Sequence, residues 1–235
     1  MKKATGVVLT CEHAGNRVPP DYRFLFEGKS SVLLTHRGFD IGVFQIARRI
    51  ANILQQKLFA CQTSRLLIEV NRSIRHPDLF SEFSRVLPDS EKDLLVQSVY
   101  DRYRKSVIRH IEELIWKDRN VLHLSLHSFA PLLQGKRRNA DIGILYDPAY
   151  VAEKAFSTDF QKILRSTTGL RIRRNYPYLG SADGFTTTLR RNFAPTCYRG
   201  IEIEFNQELL AKKGTQAYRL AEGFCRSLEQ ALRVS

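Results

Sequence analysis

Short apolar runs rich in β-branched residues alternate along this chain with longer segments of helical periodicity, and this alternation restricts the fold more than any other feature. The strand candidates are GVVLTC, SVLLT, LFACQT, LLIEV, VLHLSLH, DIGILY, LRIRR and GIEIEF. Segments that begin at DIGVFQ, EKDLLV, VAEKAF and TQAYRL place apolar residues at helical spacing. Strands that alternate with helices predict an α/β protein whose largely parallel sheet is covered on both faces.

Length and composition narrow the possibilities further. With 235 residues, 43% of them hydrophobic, the chain can bury a substantial core, and we expect a single domain over residues 1–235. No apolar run approaches the roughly 18 to 20 residues that cross a bilayer, and the N-terminal stretch is too short for a signal peptide. The four cysteines are widely separated and indicate neither disulfides nor a cysteine zinc site. We therefore expect a cytoplasmic protein with no membrane partner.

The net charge of +13 is compatible with nucleic acid, an acidic surface or an anionic substrate. The basic residues are scattered, with only short runs such as GKRRNA, and no known nucleic-acid motif accompanies them. We therefore expect no nucleic-acid partner. The oligomeric state is left open.

Reactive side chains gather at the predicted ends of strands. Cys11, Glu12 and His13 end the first apolar run, and the blocks HRGFDIG, EVNRS, LHSF and EIEFN lie at similar places further on. Ligands of open α/β sheets bind outside the carboxyl ends of the strands. The shared position of these blocks therefore favours an active site, with Cys11 buried beneath it.

The six histidines fall into different classes. His36, His76 and His110 are expected to be structural, since His110 lies within a long amphipathic helix. His123 and His127 point to the same side of one strand by its two-residue period. Because His127 is nearer the end of that strand, we expect His127 at the site and His123 in the core or behind the site.

Six blocks in order resemble the successive motifs of the N-formylglutamate amidohydrolase family: CEHAGNRVP, HRGFDIG, EVNR, LHSFAP, RRNYPYLGSADGFTTTLRR and EIEFNQEL. The resemblance runs from about residue 8 to about residue 210 and is closer to a branch with CEHA and HSF than to the histidine-degradation enzymes. The family is similar to zinc carboxypeptidases and aspartoacylase. The resemblance implies a phosphorylase/hydrolase-like fold, three-layer α/β/α with a mixed, largely parallel sheet.

The resemblance also implies one zinc ion held by two histidines and a carboxylate. His13 matches the first histidine and His127 the second. The relatives take their carboxylate three residues after the first histidine, where this chain has Asn16, a poor zinc ligand. We expect the third ligand to be Asp40, in the FDIG block, with Glu12 as the second choice.

Catalytic and substrate-binding residues follow from the same resemblance. Glu204 matches the glutamate that takes a proton from water and passes it to the leaving amine, although Glu202 lies on the same face of its strand and stays an alternative. Asn71 and Arg72 match an Asn-Arg pair. Arg72 either stabilises the oxyanion or clamps a substrate carboxylate, and Arg190 is a second candidate for both roles.

The block RRNYPYLGSADGFTTTLRR contains Pro177, Gly180 and Gly184 and is predicted to be a loop. Loops over strand ends often bind ligands, so Tyr178 and Asp183 are candidates for substrate contacts. A structural turn with packing tyrosines is the alternative.

These implications predict a zinc-dependent amidohydrolase of amino-acid metabolism that cleaves the amide bond of an N-formyl or N-acyl amino acid. The leading substrate is N-formyl-L-glutamate, which gives L-glutamate and formate and is small and anionic. A carboxypeptidase-like hydrolase of a small peptide is one alternative, and a homologue that binds without turnover is another.

Overall fold

The computed structural model describes residues 4–212 and 214–234, in which eight strands form. They are β1 (Thr5–Cys11), β2 (Leu58–Ala60), β3 (Asn120–Phe129), β4 (Leu132–Leu133), β5 (Lys136–Arg137), β6 (Ile142–Leu145), β7 (Ile172–Arg174) and β8 (Tyr198–Asn206). Six of them form the main sheet in the order β2, β1, β3, β8, β6, β7, while β4 and β5 form a small hairpin. Only the pairing of β6 with β8 in that sheet is antiparallel, which confirms the predicted mixed, largely parallel sheet.

The helices cover the sheet on both faces. They are α1 (Val43–Leu54), α2 (Asp89–Leu95), α3 (Arg102–Trp116), α4 (Val151–Thr168), α5 (Phe185–Asn192), α6 (Gln207–Leu210) and α7 (Thr215–Val234). A π-helical turn, Val96–Asp101, joins α2 to α3, and 3-10 turns cover Pro20–Phe26 and Ser30–Leu34. Within the described ranges, no helix is both long enough and apolar enough to cross a membrane.

Two hydrophobic clusters, one on each face of the sheet, form the core. Val8 and Leu9 are neighbours in β1, yet Val8 packs in one cluster and Leu9 in the other, because successive side chains of a strand point to opposite faces. The cluster around Leu9 lies under α1, α4 and α7, and the cluster around Val8 lies under α3 and α5. This double burial explains why the central strands are apolar almost throughout.

Two of the predicted strands are wrong. The run SVLLT forms the 3-10 turn Ser30–Leu34, and Leu34 is 70% exposed, so the run has no neighbouring strand or core to cover it. The run LLIEV is buried but passes through turns, and the N–H of Glu69 donates to the carbonyl of Leu79. A short buried apolar run does not distinguish a strand from an irregular core segment.

The block predicted as a loop begins with the last two residues of β7, is a loop over residues 175–184 and continues as α5. Threonines have low helix propensity, which hid this helix from the sequence pattern. Phe185 and Leu189 are fully buried against the sheet, and that packing stabilises the helix.

Candidate active site

Parts of the chain that are distant in sequence bring two histidines and an aspartate together. His13 follows β1, His127 lies near the end of β3, and Asp40 precedes α1. Because β1 and β3 are parallel neighbours, their carboxyl ends lie at one edge of the sheet. The N–H of Asp40 donates to the carbonyl of His13 at 3.1 Å, which ties the loop before α1 to that edge.

The three side chains form a compact buried group, called here the triad. One nitrogen or oxygen atom from each of His13, Asp40 and His127 lies within 4.8 Å of the others, and all three residues are buried. Asp40 Oδ2 is 3.3 Å from His13 Nδ1 and 2.9 Å from His127 Nδ1. Both imidazoles therefore direct the same kind of nitrogen toward one carboxylate oxygen, an arrangement that could hold a metal ion.

Glu69 lies behind the imidazole of His13. Its Oε1 is 2.6 Å from His13 Nε2, on the side of the ring away from Nδ1. Arg65 Nη2 pairs with Glu69 Oε2 at 2.7 Å, and the N–H of Asn71 donates to Oε1 at 3.0 Å. Although burial opposes ionisation, the charges of Arg65 and His13 hold the pKa of Glu69 well below its ordinary value. The carboxylate therefore stays charged and fixes the orientation of the ring.

Glu12 has the corresponding place behind His127. Its Oε2 is 3.3 Å from His127 Nε2 and accepts a hydrogen bond from Ser125 Oγ at 2.6 Å, while Tyr103 donates to its Oε1 at 3.0 Å. Burial opposes ionisation of this carboxyl, but the hydrogen bond and charge of His127 outweigh it and lower the pKa of Glu12 to about 2. Glu12, the second choice for the third ligand, is thus not a member of the triad.

Hydrogen bonds also shift the pKa of His127 and fix the position of His123. Burial opposes a positive charge on His127, yet its hydrogen bonds with Asp40 and Glu12 raise the pKa of His127 well above its ordinary value. His123 lies deeper, fully buried between Thr10 Oγ1 and the Tyr198 hydroxyl at 2.7 Å each, which confirms its predicted place in the core.

Glu204 lies beside the triad on β8. Its register partner on β3 is His127, whereas Glu202 is paired with Ser125, two residues further from the strand end. Glu204 is buried, and its Oε2 has no hydrogen-bond partner among the described residues. Burial raises the pKa of Glu204 to about 7, with the charges of Asp40 and Glu202 acting in the same direction and that of His127 against it. Buried carboxylates are rarely left unsatisfied, so this oxygen is marked for a functional role.

A cavity of about 220 Å³ opens onto these groups. The triad and Glu204 are part of its wall. The other described wall residues are Arg65, Asn71, Arg72, Ser128, Tyr178, Leu179, Ala182, Asp183 and Glu202. His36, His76 and His110 are not among these wall residues.

The segment that contains Asn71 and Arg72 is bonded to the segment before α5. Arg72 Nη1 donates to the carbonyl of Asp183 at 2.7 Å, and Asn71 Oδ1 accepts from the N–H of Phe185 at 2.9 Å. Asp183 Oδ2 accepts from the N–H of Ser73 at 2.9 Å. The structure thus brings four of the residues expected to bind substrate, Asn71, Arg72, Tyr178 and Asp183, to the cavity wall.

Arg190 is not on that wall, which corrects its expected contact with substrate. Its guanidinium pairs with Glu153 at 2.8 Å and donates to the carbonyls of Gly200 and Gly180 at 2.7 and 2.9 Å. Both side chains of the pair are 1% exposed, so the guanidinium is closed to a ligand. The pattern TLRRN did not distinguish a binding arginine from one that joins α4, α5 and β8.

No role was predicted for two groups of the site, Arg65 and Glu69, although Glu69 opens the block EVNRS. Both belong to the segment SRLLIEV, in which they stand four residues apart around apolar residues. A carboxylate inside a buried run requires a partner, and this requirement was the available signal. It was missed because the run was interpreted as a regular strand.

Known proteins resemble this chain in sequence pattern and in fold. The sequence model of N-formylglutamate amidohydrolase matches residues 5–211. The gene product Atu2144 from Agrobacterium tumefaciens has a similar structure, with a TM-score of 0.83 and 27% identity over 97% of this chain and 90% of that chain. N-formylglutamate amidohydrolase from Ralstonia eutropha JMP134 shares the fold, with a TM-score of 0.71 and 17% identity over 99% of this chain and 96% of that chain. No sequence match is found among curated proteins.

Proposed function

This chain belongs to the N-formylglutamate amidohydrolase family, and from that premise we propose that it is a zinc-dependent hydrolase of N-formyl or N-acyl amino acids. N-formyl-L-glutamate, which would give L-glutamate and formate, is the first substrate to test. The observation that carries the proposal is the position of Glu204, a buried carboxylate with an unpartnered oxygen, next to the triad on one cavity wall.

The donor set of the triad suits zinc, which prefers imidazole nitrogen and carboxylate oxygen and keeps an open position in catalytic sites. We assign His13, Asp40 and His127 as the ligands. The distances from Asp40 Oδ2 to the two Nδ1 atoms, 3.3 and 2.9 Å, are near the separation of roughly 3.3 Å between ligand atoms of a tetrahedral zinc site. When bound, zinc polarises the acyl carbonyl and lowers the pKa of a water to about 7.

Glu204 moves the proton in this proposal. It accepts a proton from the attacking water as the water oxygen bonds to the acyl carbon, and it passes that proton to the amide nitrogen as the C–N bond breaks. The amino acid leaves with a free amine, and the acyl group leaves as a carboxylic acid. In the metal-free protein, burial raises the pKa of Glu204 to about 7, so this carboxyl holds a proton more readily near neutral pH than an ordinary glutamate does.

Arg72 binds the α-carboxylate of the substrate. Its guanidinium donates to the backbone carbonyl of Asp183 and, among the described residues, forms no ion pair, so guanidinium donors remain for a ligand. Its planar fork can meet a carboxylate with two parallel hydrogen bonds. Asn71 Oδ1 accepts a hydrogen bond from the N–H of Phe185. This bond fixes the segment before α5, which Arg72 contacts.

Metal analysis of the purified protein, together with a panel of N-formyl and N-acetyl amino acids, tests the proposal. We expect one zinc per chain, hydrolysis that stops on chelation and returns with zinc, and loss of both zinc and activity in His13→Ala. Glu208→Gln is the control, because Glu208 is half exposed, pairs with Arg137 and is not on the cavity wall. Zinc-loaded protein that hydrolyses none of these amides would overturn the proposal.

A further inference from the structure

We propose that Arg138 is a specificity-determining residue, which binds the side-chain carboxylate of a dicarboxylic substrate at the edge of the cavity beside Tyr178. The inference rests on the proposed function and deepens it, because it names the group that would hold the second carboxylate of a compound such as N-formylglutamate. One planar guanidinium fork binds one carboxylate, so a second carboxylate calls for a second cation.

Two arginines lie on the described part of the cavity wall, and only one of them has donors for a ligand. Arg65 is committed, because its Nη2 pairs with Glu69 at 2.7 Å and its Nη1 lies 3.4 Å from Asp40 Oδ1. Arg72 donates to a backbone carbonyl and forms no ion pair with any described residue. If Arg72 holds the α-carboxylate, the partner of a second carboxylate comes from outside these wall residues.

The two acidic residues that lie near Arg72 on the wall, Asp183 and Glu202, do not exclude such a substrate. A buried arginine that is not on the wall acts on each of them: the charge of Arg104 attracts that of Asp183, and the charge of Arg190 attracts that of Glu202. Both carboxylates also accept a hydrogen bond from the protein. Their negative charge is therefore partly compensated before a ligand binds.

The backbone of Arg138 is held beside the cavity by two hydrogen bonds. Arg138 directly follows β5, and its N–H donates to the carbonyl of Pro131, just beyond the end of β3, at 2.8 Å. The next N–H, that of Asn139, donates to the hydroxyl of Tyr176 at 2.9 Å. Arg138 is thus tied both to the strand end that follows the triad and to the loop 175–184.

The guanidinium of Arg138 lies near two aromatic rings at the edge of the cavity. Its Cζ is 4.9 Å from the ring centroid of Tyr178, a wall residue, and 5.8 Å from that of Phe129, which directly follows the wall residue Ser128. A ring face holds a guanidinium while its N–H edges stay available. Within residues 4–212 and 214–234, this side chain forms no ion pair and no hydrogen bond, so its donors remain for an anion.

Arg72 and Arg138 therefore supply one cation for each carboxylate of a dicarboxylic substrate. When Arg72 binds the α-carboxylate and the substrate side chain extends toward Tyr178, a terminal carboxylate meets Arg138. N-formylglutamine has nearly the same shape as N-formylglutamate but lacks the side-chain charge. The comparison of these two compounds therefore isolates the contact with Arg138.

The experiment measures kcat/KM of the zinc-loaded protein for both compounds. We expect N-formylglutamate to be preferred, and we expect Arg138→Gln to reduce this preference about tenfold or more, mainly through a higher KM for N-formylglutamate. Arg137→Gln is the matched control and should keep the preference, because Arg137 is exposed and pairs with Glu208. A wild-type protein that hydrolyses both compounds equally well, or an Arg138→Gln variant that keeps the preference, would overturn the inference.

A binding measurement separates this inference from the proposed function. Zinc-loaded Glu204→Gln is titrated with the same two compounds by calorimetry, with and without Arg138→Gln as a second substitution. If the wild-type protein hydrolyses neither compound, but the single variant binds N-formylglutamate more tightly and the double variant does not, the hydrolytic function fails and the role of Arg138 stands. If the double variant retains the difference, or if neither compound binds, the role of Arg138 is wrong even where hydrolysis of other N-acyl amino acids is observed.

Discussion

Glu204 is the residue whose surroundings most directly set its chemistry. Replacement by glutamine keeps its size and removes its ability to take a proton. We expect Glu204→Gln to lower kcat by roughly 100-fold to 10,000-fold, the range that general acid–base catalysis supplies, while zinc content and melting temperature are retained. Steady-state kinetics and metal analysis check this result. A loss of this size in Glu202→Gln, with Glu204→Gln still active, would show that Glu202 transfers the proton and that the assignment to Glu204 is wrong.

Arg72 tests whether a planar fork is needed on the cavity wall. Lysine preserves the charge but gives up the two parallel hydrogen bonds. If Arg72 binds the α-carboxylate, Arg72→Lys should raise KM about tenfold or more with little change in kcat. Arg75→Lys is the matched control, since Arg75 is exposed and is not on the wall. A loss confined to kcat would instead place Arg72 at the oxyanion.

Glu12 links the site to acid stability. Its pKa is lowered to about 2 in the folded protein, against 4.5 for an ordinary glutamate, so the folded state resists its protonation. The stabilising contribution of Glu12 is therefore complete above about pH 4.5 and is lost as the pH falls toward 2. In the metal-free protein, the free energy of unfolding should fall more steeply over this interval than in Glu12→Gln, as followed by urea denaturation. Parallel curves would contradict the assignment.

At the scale of elements, Gly42 connects α1 to the triad. It precedes Val43 with a φ of 81°, and a Cβ there would lie 2.9 Å from Leu210 Cβ. Gly42→Ala therefore combines a left-handed backbone with overpacking, and we expect it to cost roughly 2–4 kcal/mol of unfolding free energy. It should also weaken zinc binding, because Asp40 lies two residues earlier.

Gly169 provides the matched control for this substitution. It ends α4 with a φ of 68°, and a Cβ there would have no neighbour within 4 Å. Gly169→Ala should therefore cost only the backbone term, about 1 kcal/mol. Urea unfolding of both variants and a zinc titration separate the two effects. Equal losses of stability, or unchanged zinc affinity in Gly42→Ala, would contradict this role of Gly42.

The elements that could be predicted from sequence are those whose pattern reflects their burial. β1, β3 and β8 are apolar because both faces of the sheet are covered, and α1, α4 and α7 have one apolar stripe. The turn Ser30–Leu34 and the helix α5 were missed, since neighbours distant in sequence decide both. The same limit, dependence on neighbours distant in sequence, applies to the site. The positions of His13 and His127 at strand ends were enough to predict that they meet. The partner of Arg190 could not be predicted, because it depends on how α4, α5 and β8 pack.

The whole molecule assembles its site from segments spread over nearly the entire chain, from His13 to Glu204. β1, β3 and β8 lie side by side in the sheet, while the loops before α1 and α5 contribute Asp40 and Asp183 to the cavity wall. The triad therefore exists only in the folded state. A ligand that binds the folded state alone stabilises it by mass action, so the stability of the fold should report the occupancy of the site.

Zinc should consequently raise the melting temperature, and more so at higher pH. At a zinc concentration 100 times the dissociation constant the gain is about 2.7 kcal/mol, or roughly 5–10 °C for a chain of this size. The pKa of His127 is raised by its carboxylate partners, so protons compete with zinc, and the increase should be larger at pH 8 than at pH 6. Scanning calorimetry with and without chelator measures it, with His13→Ala as the variant expected to show no increase. The same increase in His13→Ala, or a larger one at pH 6, would place zinc elsewhere.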